Sequence, residues 1–305
     1  MVDTLNLRCE RTQFGNDATL SVCNHIDIER EGIMASGERY VIGHVKNYRV
    51  YADERRVRLS GSIAKLIRGT NVGTLDREEV RYGIEFLSDV LHLDIGRAIV
   101  SRIDVAYTFH VEESPGAYIE QMLRYDGMTK ASVNTETLYF ASKKKVLCFY
   151  NKKVEMEERG VKMPLWGKKN ELLRYELRLM ANVGHQIGLK KTITASEIDQ
   201  PDIWLRLVNL WADEYRNIEK DVSMGIRAAN TAREAYMAIY ADLLCRFQGD
   251  YMQKAIELTK RGTMTKKERY RLKQMIKEVE NTCLYTKLNS MIENVRAYEK
   301  RMLNR

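Results

Sequence analysis

Residues 99–111 read Ile-Val-Ser-Arg-Ile-Asp-Val-Ala-Tyr-Thr-Phe-His-Val, and their alternation decides what kind of fold to expect. Arg102, Asp104, Thr108 and His110 fall on one side, and Ile103, Val105, Tyr107 and Phe109 on the other. A period of two is that of a strand with one face in a core and one facing out. Working outward, 172–180 repeats the pattern, with Arg174, Glu176 and Arg178 opposite Leu173, Tyr175 and Leu177. The run 51–63 sets Arg56, Arg58, Ser60 and Ser62 against Val57, Leu59 and Ile63. Segments 135–141 and 146–152 have the same character, and a strand over the second puts Tyr150 and Lys152 on one face.

Helical stretches lie between these strands. Residues 76–93 follow a Thr-Leu-Asp-Arg-Glu start with acidic residues in the first turn, and 115–125 use Pro115 as an early helical position. Strands with interspersed helices and no regular β-α repeat predict an α+β fold, a mainly antiparallel sheet with flanking helices. Past Pro201 the spacing becomes helical over 202–220, 223–246, 250–261 and 264–303. The expected division is one domain over 1–192 and a helical C-terminal domain over 193–305.

The 305 residues are 44% hydrophobic, enough for a real core, and contain no apolar run long enough to span a bilayer. The first residues lack the pattern of a secretory signal, so a cytoplasmic protein without membrane attachment is expected. Five scattered cysteines, without a C-x-x-C pair, argue against structural zinc and a disulfide framework. The net charge is +8, and residues 261–305 alone carry 12 Lys or Arg against 5 Asp or Glu. Such an excess favours a polyanionic partner and makes the C-terminal segment a candidate nucleic-acid arm, or equally a dimerisation or host-protein surface.

No P-loop, G-x-S-x-G or H-E-x-x-H string is present, and the five histidines never form a His-x-His pair. Any metal must then rely on carboxylates. Asp104 and Glu176 lie mid-strand among apolar residues, where a carboxylate needs a partner. Salt bridges to Arg102, Arg174 and Arg178 supply one explanation and a divalent ion, Mg²⁺ or Mn²⁺, the other; spacing fits both. Tyr150, near the end of its strand with Lys152 and Glu155 following, is either a core tyrosine or a nucleophile with a cation beside it. Lys143, Lys144 and Lys145 form either a solvated hairpin tip or a DNA contact.

Five strings, in order, carry a resemblance: Ser-Gly-Ser-Ile-Ala-Lys-Leu-Ile-Arg-Gly-Thr-Asn-Val-Gly at 60–73, Ser-Arg-Ile-Asp-Val-Ala at 101–106, Thr-Leu-Tyr-Phe at 137–140, Phe-Tyr-Asn-Lys-Lys-Val-Glu at 149–155 and Leu-Arg-Tyr-Glu-Leu-Arg-Leu at 173–179. Together they resemble the gene II/X-type replication initiators of filamentous phages and, more distantly, plasmid rolling-circle initiators. The resemblance covers about residues 50–180. It implies a Rep/relaxase-like nicking domain over 1–192, with Tyr150 attacking a phosphodiester of supercoiled or single-stranded origin DNA. The product would be a 5′-phosphotyrosine and a free 3′-OH primer.

By the same resemblance Lys152 stabilises phosphate charge, Glu155 is a ligand or base, and Asp104 and Glu176 bind Mg²⁺ or Mn²⁺. Ser62, Lys65 and Asn71 match a phosphate-side motif, with Lys65 and Arg58 near the DNA backbone. The phage relatives read Gly-His-Asn where this chain has Gly69, Thr70 and Asn71. A host helicase and a homodimer are further expected partners. Two other readings stay open on sequence: a non-catalytic DNA-binding regulator of replication or copy number, and a tyrosine recombinase, which links through a 3′ phosphate without metal.

Overall fold

The computed structural model describes residues 1–10, 17–162, 171–221, 231–233, 235–236, 251–280 and 284–303. The amino-terminal part comprises β1 (Val2–Cys9), α1 (Ala18–Val22), β2 (Asp27–Ile33), β3 (Arg39–Val45), β4 (Tyr48–Asp53), β5 (Arg56–Ser62), α2 (Ile63–Arg68) and α3 (Arg77–Leu91). Next come β6 (Ile99–Val111), α4 (Pro115–Glu120), β7 (Met122–Arg124), β8 (Thr129–Ser132), β9 (Thr137–Ala141), β10 (Lys145–Asn151), α5 (Lys152–Glu158) and β11 (Glu171–Leu179). The remainder is α6 (Val183–Gln186), α7 (Pro201–Arg216), β12 (Glu219–Lys220), α8 (Tyr251–Lys260), α9 (Lys266–Glu280) and α10 (Leu284–Met302).

Ten strands form one antiparallel sheet in the order β2-β3-β4-β5-β1-β6-β11-β10-β9-β8. The fold is α+β, as expected from the alternation. One sheet face is apolar across the central strands: Leu5, Leu59, Ile103, Phe149, Tyr175 and Leu177 are all at 0% exposure. Its covering helices present apolar residues at helical spacing, as α7 does with Ile203, Trp204, Leu207, Val208, Trp211 and Tyr215. Phe149 stacks on Tyr175 at 4.5 Å between ring centres, and Tyr175 stacks in turn on Trp211 at 5.1 Å. The same core takes in Leu288 and Ile292 of α10, so residues on both sides of position 192 share it. Among the described residues, no helix is long and apolar enough to cross a membrane.

Several local expectations give way to turn chemistry. The alternating run 51–63 is two strands, because Asp53 Oδ1 accepts the amides of Arg55 and Arg56 and turns the chain. The predicted helix 115–125 stops at Glu120, since Met122–Arg124 pairs with Glu219–Lys220, which in turn ends the helix predicted over 202–220 at Arg216. The predicted strand 146–152 ends at Asn151, whose side chain accepts the amides of Lys153 and Val154 and caps α5. Lys152 is therefore the first residue of a helix and does not share a strand face with Tyr150. The predicted helix over 76–93 is confirmed as α3, with an Asp76/Glu79 capping box. The expected helix 223–246 lies almost wholly outside the described residues.

The second sheet face carries the polar residues of every central strand. Near Leu172 it is covered by α5 and by the loop after α2, where Val72, Met156 and Leu172 make a small separate apolar cluster. Gly69 closes α2 at φ 70°, a left-handed conformation that a side chain resists, and so turns the chain toward Asn71.

Candidate functional site

On the polar face, sheet register brings distant parts of the chain into rows. Tyr150 of β10 pairs with Arg174 of β11, which pairs with Thr108 of β6. One row along, Cys148 pairs with Glu176 and Glu176 with Ala106. The next row joins Arg178, Asp104, Thr4 and Ser62. Val2 and Thr4 oppose consecutive β6 residues, Val105 and Asp104, so Asp3 is the extra residue of a bulge. Bulges re-aim side chains, and Asp3 points into the site.

Arg174 is the hub. At 1% exposure its guanidinium donates to Glu176 Oε1 at 2.8 Å, Asp3 Oδ2 at 2.6 Å, Thr108 Oγ1 at 3.0 Å and the Asn71 carbonyl at 2.6 Å. Asp3 also accepts from Ser62 Oγ at 2.5 Å and from Asn71 Nδ2 at 3.1 Å. Glu176 is held from its other side by Arg178, at 3.0 and 2.7 Å. Burial alone pushes the Glu176 carboxyl up, but Arg174 and Arg178 outweigh it and hold its pKa at about 2.

The Tyr150 hydroxyl donates to Glu176 Oε1 at 2.7 Å, and the residue is 8% exposed. Burial, and then the Glu176 charge, raise its pKa well above that of an ordinary phenol, while Arg174 opposes them. At rest the hydroxyl is neutral and aimed at an anion. The Lys152 ammonium, fully buried, lies 5.8 Å from the Tyr150 ring centre and donates to Asn71 Oδ1 at 2.9 Å and Glu155 Oε2 at 2.7 Å. Burial, then Arg174, lowers its pKa. Glu155 also takes a hydrogen bond from Arg159 at 2.8 Å.

The structure thus groups Tyr150, Lys152, Glu155, Glu176, Asn71 and Ser62 in one hydrogen-bonded network. Asp104 stands beside it, paired by register with Arg178 and bound at both carboxylate oxygens by Arg102, at 2.8 and 2.7 Å. Lys65 sits half-buried in the first turn of α2, its amide on Ser62 Oγ at 3.2 Å. Arg58 is exposed on the same face, two rows beyond Ser62 along β5. The lysine run lies elsewhere: Lys143 and Lys144 are exposed at the β9–β10 tip, and Lys145 pairs with Glu214 of α7 on the helix-covered side.

Asp104 and Glu176, the expected ligands of Mg²⁺ or Mn²⁺, already have their oxygens engaged by guanidinium groups. Among the described residues, no three His, Cys, Asp or Glu side chains are grouped to hold a metal ion. As arranged, these carboxylates do not fit a divalent ion, which would have to displace Arg102 and Arg178. Arg174, Arg178, Arg102 and Lys152 bring positive charge to the site. Sequence reasoning missed Asp3; its only signal was an acidic residue within the alternating start Val2-Asp3-Thr4-Leu5-Asn6-Leu7.

The family model for the N-terminal part of the phage replication-associated protein of gene II matches residues 35–211, a stretch that contains every residue of the network except Asp3. No curated protein matches the chain.

Proposed function

Since this chain belongs to the family of phage replication-associated proteins defined by the N-terminal part of the gene II protein, we propose that it initiates rolling-circle replication by nicking and rejoining one strand of origin DNA, with Tyr150 as nucleophile. The observation that carries this reading is the Tyr150 hydroxyl, 2.7 Å from Glu176 inside a cluster of buried cations. The phenolic oxygen attacks phosphorus in line, the P–O3′ bond breaks, and the 5′ phosphate stays on Tyr150. The phenolic proton passes to Glu176, and the departing 3′ oxygen takes a proton from water. Attack by a 3′-OH on the phosphotyrosine reverses the step, so no nucleotide hydrolysis is needed to rejoin the strand.

A carboxylate with a pKa of about 2 is a weak base. Arg178 is the more accessible of its two cations, at 26% side-chain exposure. A phosphodiester that draws Arg178 away raises the proton affinity of Glu176 just as the reacting phosphorus arrives. Arg174 and Lys152 then stabilise charge on the phosphoryl oxygens. Arg58, Ser62, Lys65 and Asn71 contact the DNA backbone in this proposal, and the exposed Lys143 and Lys144 are outlying contacts.

The test is incubation with supercoiled plasmid carrying the protein's own origin, and with single-stranded origin oligonucleotides, in Mg²⁺, Mn²⁺ or EDTA. A covalent 5′ adduct, lost in Tyr150→Phe, is the expected result. Tight binding with no adduct on the correct origin would instead make the protein a regulator, and a 3′ linkage would make it a recombinase.

A further inference from the structure

The basic C-terminal segment, which the Tyr150 network does not use, is organised around one junction. Residues 261–273 hold Arg261, Lys266, Lys267, Arg269, Arg271 and Lys273 against Glu268 alone. Gly262 closes α8 in a left-handed conformation, φ 72°, and the amides of Thr263 and Met264 fold back on the Leu258 carbonyl at 2.9 and 3.2 Å. Three residues on, Thr265 opens α9 with a capping box. Its hydroxyl accepts the Glu268 amide at 3.2 Å, and the Glu268 carboxylate accepts the Thr265 amide at 2.7 Å. The acidic residue of this stretch is thus engaged in the cap. α9 packs on both α8 and α10, and α10 is tied to α7 by the Trp204 indole on Glu299 at 2.9 Å and by Arg296 on Asp213 at 2.9 Å.

At the helical repeat, Lys266, Tyr270, Lys273 and Gln274 share one face of α9, with Lys267 and Arg271 along one margin and Arg269 along the other. All are exposed except the half-buried Arg269, and Leu272, on the far side, is half-buried. Among the described residues, none of the five cations from Lys266 to Lys273 forms an ion pair. We infer that α8 and α9 are a helix-turn-helix that reads duplex DNA, with α9 lying in the major groove of the origin. A short turn holding a glycine is the usual joint of such a pair. Unpaired cations around one helix select a polyanion. Their arrangement selects a duplex: a helix about 10–12 Å across fills a major groove about 12 Å wide, so cations on both margins meet the two phosphate walls. The face between them then meets base edges, where the Gln274 amide matches adenine and the lysines match guanine. A membrane surface would need a broad apolar face, and among the described residues of α9 Tyr270 is the one large hydrophobic side chain exposed. The inference takes from the proposed function only that the ligand is an origin, and makes no use of Tyr150.

The experiment measures, against salt, the anisotropy of a labelled duplex carrying the protein's own origin, of a shuffled duplex of equal composition, and of one origin strand alone. It compares the full-length wild type with two double variants. Lys267→Ala with Arg271→Ala removes two phosphate contacts, each worth roughly 0.9 of salt slope on a duplex, so the slope should be shallower by about 1.8 on both duplexes. Tyr270→Ala with Gln274→Ala should keep the slope and lose roughly tenfold of the preference for the origin duplex over the shuffled one. Both variants should bind the single strand within twofold of the wild type. All four side chains are exposed and alanine favours a helix, so the unfolding midpoint should stay put and serve as the control. A wild type without preference for the origin duplex, or a wild-type slope in the first variant, would overturn the inference. So would an equal loss on the single strand, or an origin preference retained in the second variant. Failure of the nicking reading would look different: the origin preference and both variant effects would remain, yet no covalent adduct would form on origin DNA.

Discussion

Replacing Glu176 with Gln removes the anion on which the site is built while keeping its shape. The wild-type carboxylate is shared by Arg174, Arg178 and the Tyr150 hydroxyl, and is buried at 4% exposure. Its pKa falls from 4.5 to about 2 on folding. With each pKa unit equal to about 1.4 kcal/mol, the charged form contributes about 3 kcal/mol. Removing one partner of a buried ion pair costs about 3–5 kcal/mol in general, and the two routes agree. Because the folded pKa lies below the unfolded one, this contribution is present above pH 4.5 and drains away as pH falls toward 2. Thermal unfolding of Glu176→Gln should therefore show a midpoint lowered by roughly 6 °C at neutral pH, from about 2 °C per kcal/mol for a chain of this size. The difference from wild type should shrink as pH drops below 4.5. The Tyr150 phenol should ionise at lower pH in the variant, because the nearby negative charge is gone while Arg174 remains. Tyrosinate absorbance, taken as a difference against the corresponding Tyr150→Phe protein, reads this shift. A midpoint unchanged at neutral pH, or a phenol that ionises at higher pH, would refute the electrostatic reasoning.

Lys152→Met should lower the nicking rate by about 10²–10³, the usual loss when one buried group stabilising transition-state charge is removed. Single-turnover cleavage of an origin oligonucleotide measures it, and a change below threefold would remove Lys152 from the chemistry. Asp3→Asn loosens the hold on Arg174, Ser62 and Asn71 together and should slow single-turnover adduct formation by more than it weakens binding of the same origin oligonucleotide; equal losses in both would mean general damage. Mg²⁺ added to the DNA-free protein should show no calorimetric site tighter than millimolar, because guanidinium groups already occupy Asp104 and Glu176. A stoichiometric micromolar site would contradict that arrangement.

The central strands were legible because their alternation is clean: β6 matches its predicted bounds, and β11 begins one residue before its own and ends one before. Arg174, Glu176 and Arg178 fall two apart on one strand, so the ion pairs that neutralise Glu176 could be anticipated alongside the metal alternative. Lys152 was misplaced for a local reason. A strand period carried through Asn151 ignores the capping strength of that asparagine, which turns the chain into α5. Asp3 was invisible for a tertiary one, since a bulge in β1 and a partner 171 residues away define its role. Met122–Arg124 likewise takes its strand form from pairing with Glu219–Lys220, a contact that no local pattern encodes.

The central claim is that Tyr150 becomes covalently joined to DNA. The most direct measurement is mass spectrometry of peptides from the protein after reaction with a single-stranded origin oligonucleotide and nuclease trimming. The account predicts a nucleotide linked through its 5′ phosphate to Tyr150, with an unblocked 3′-OH on the released fragment. An adduct on another of the 17 tyrosines, or a 3′-phosphate linkage, would contradict it.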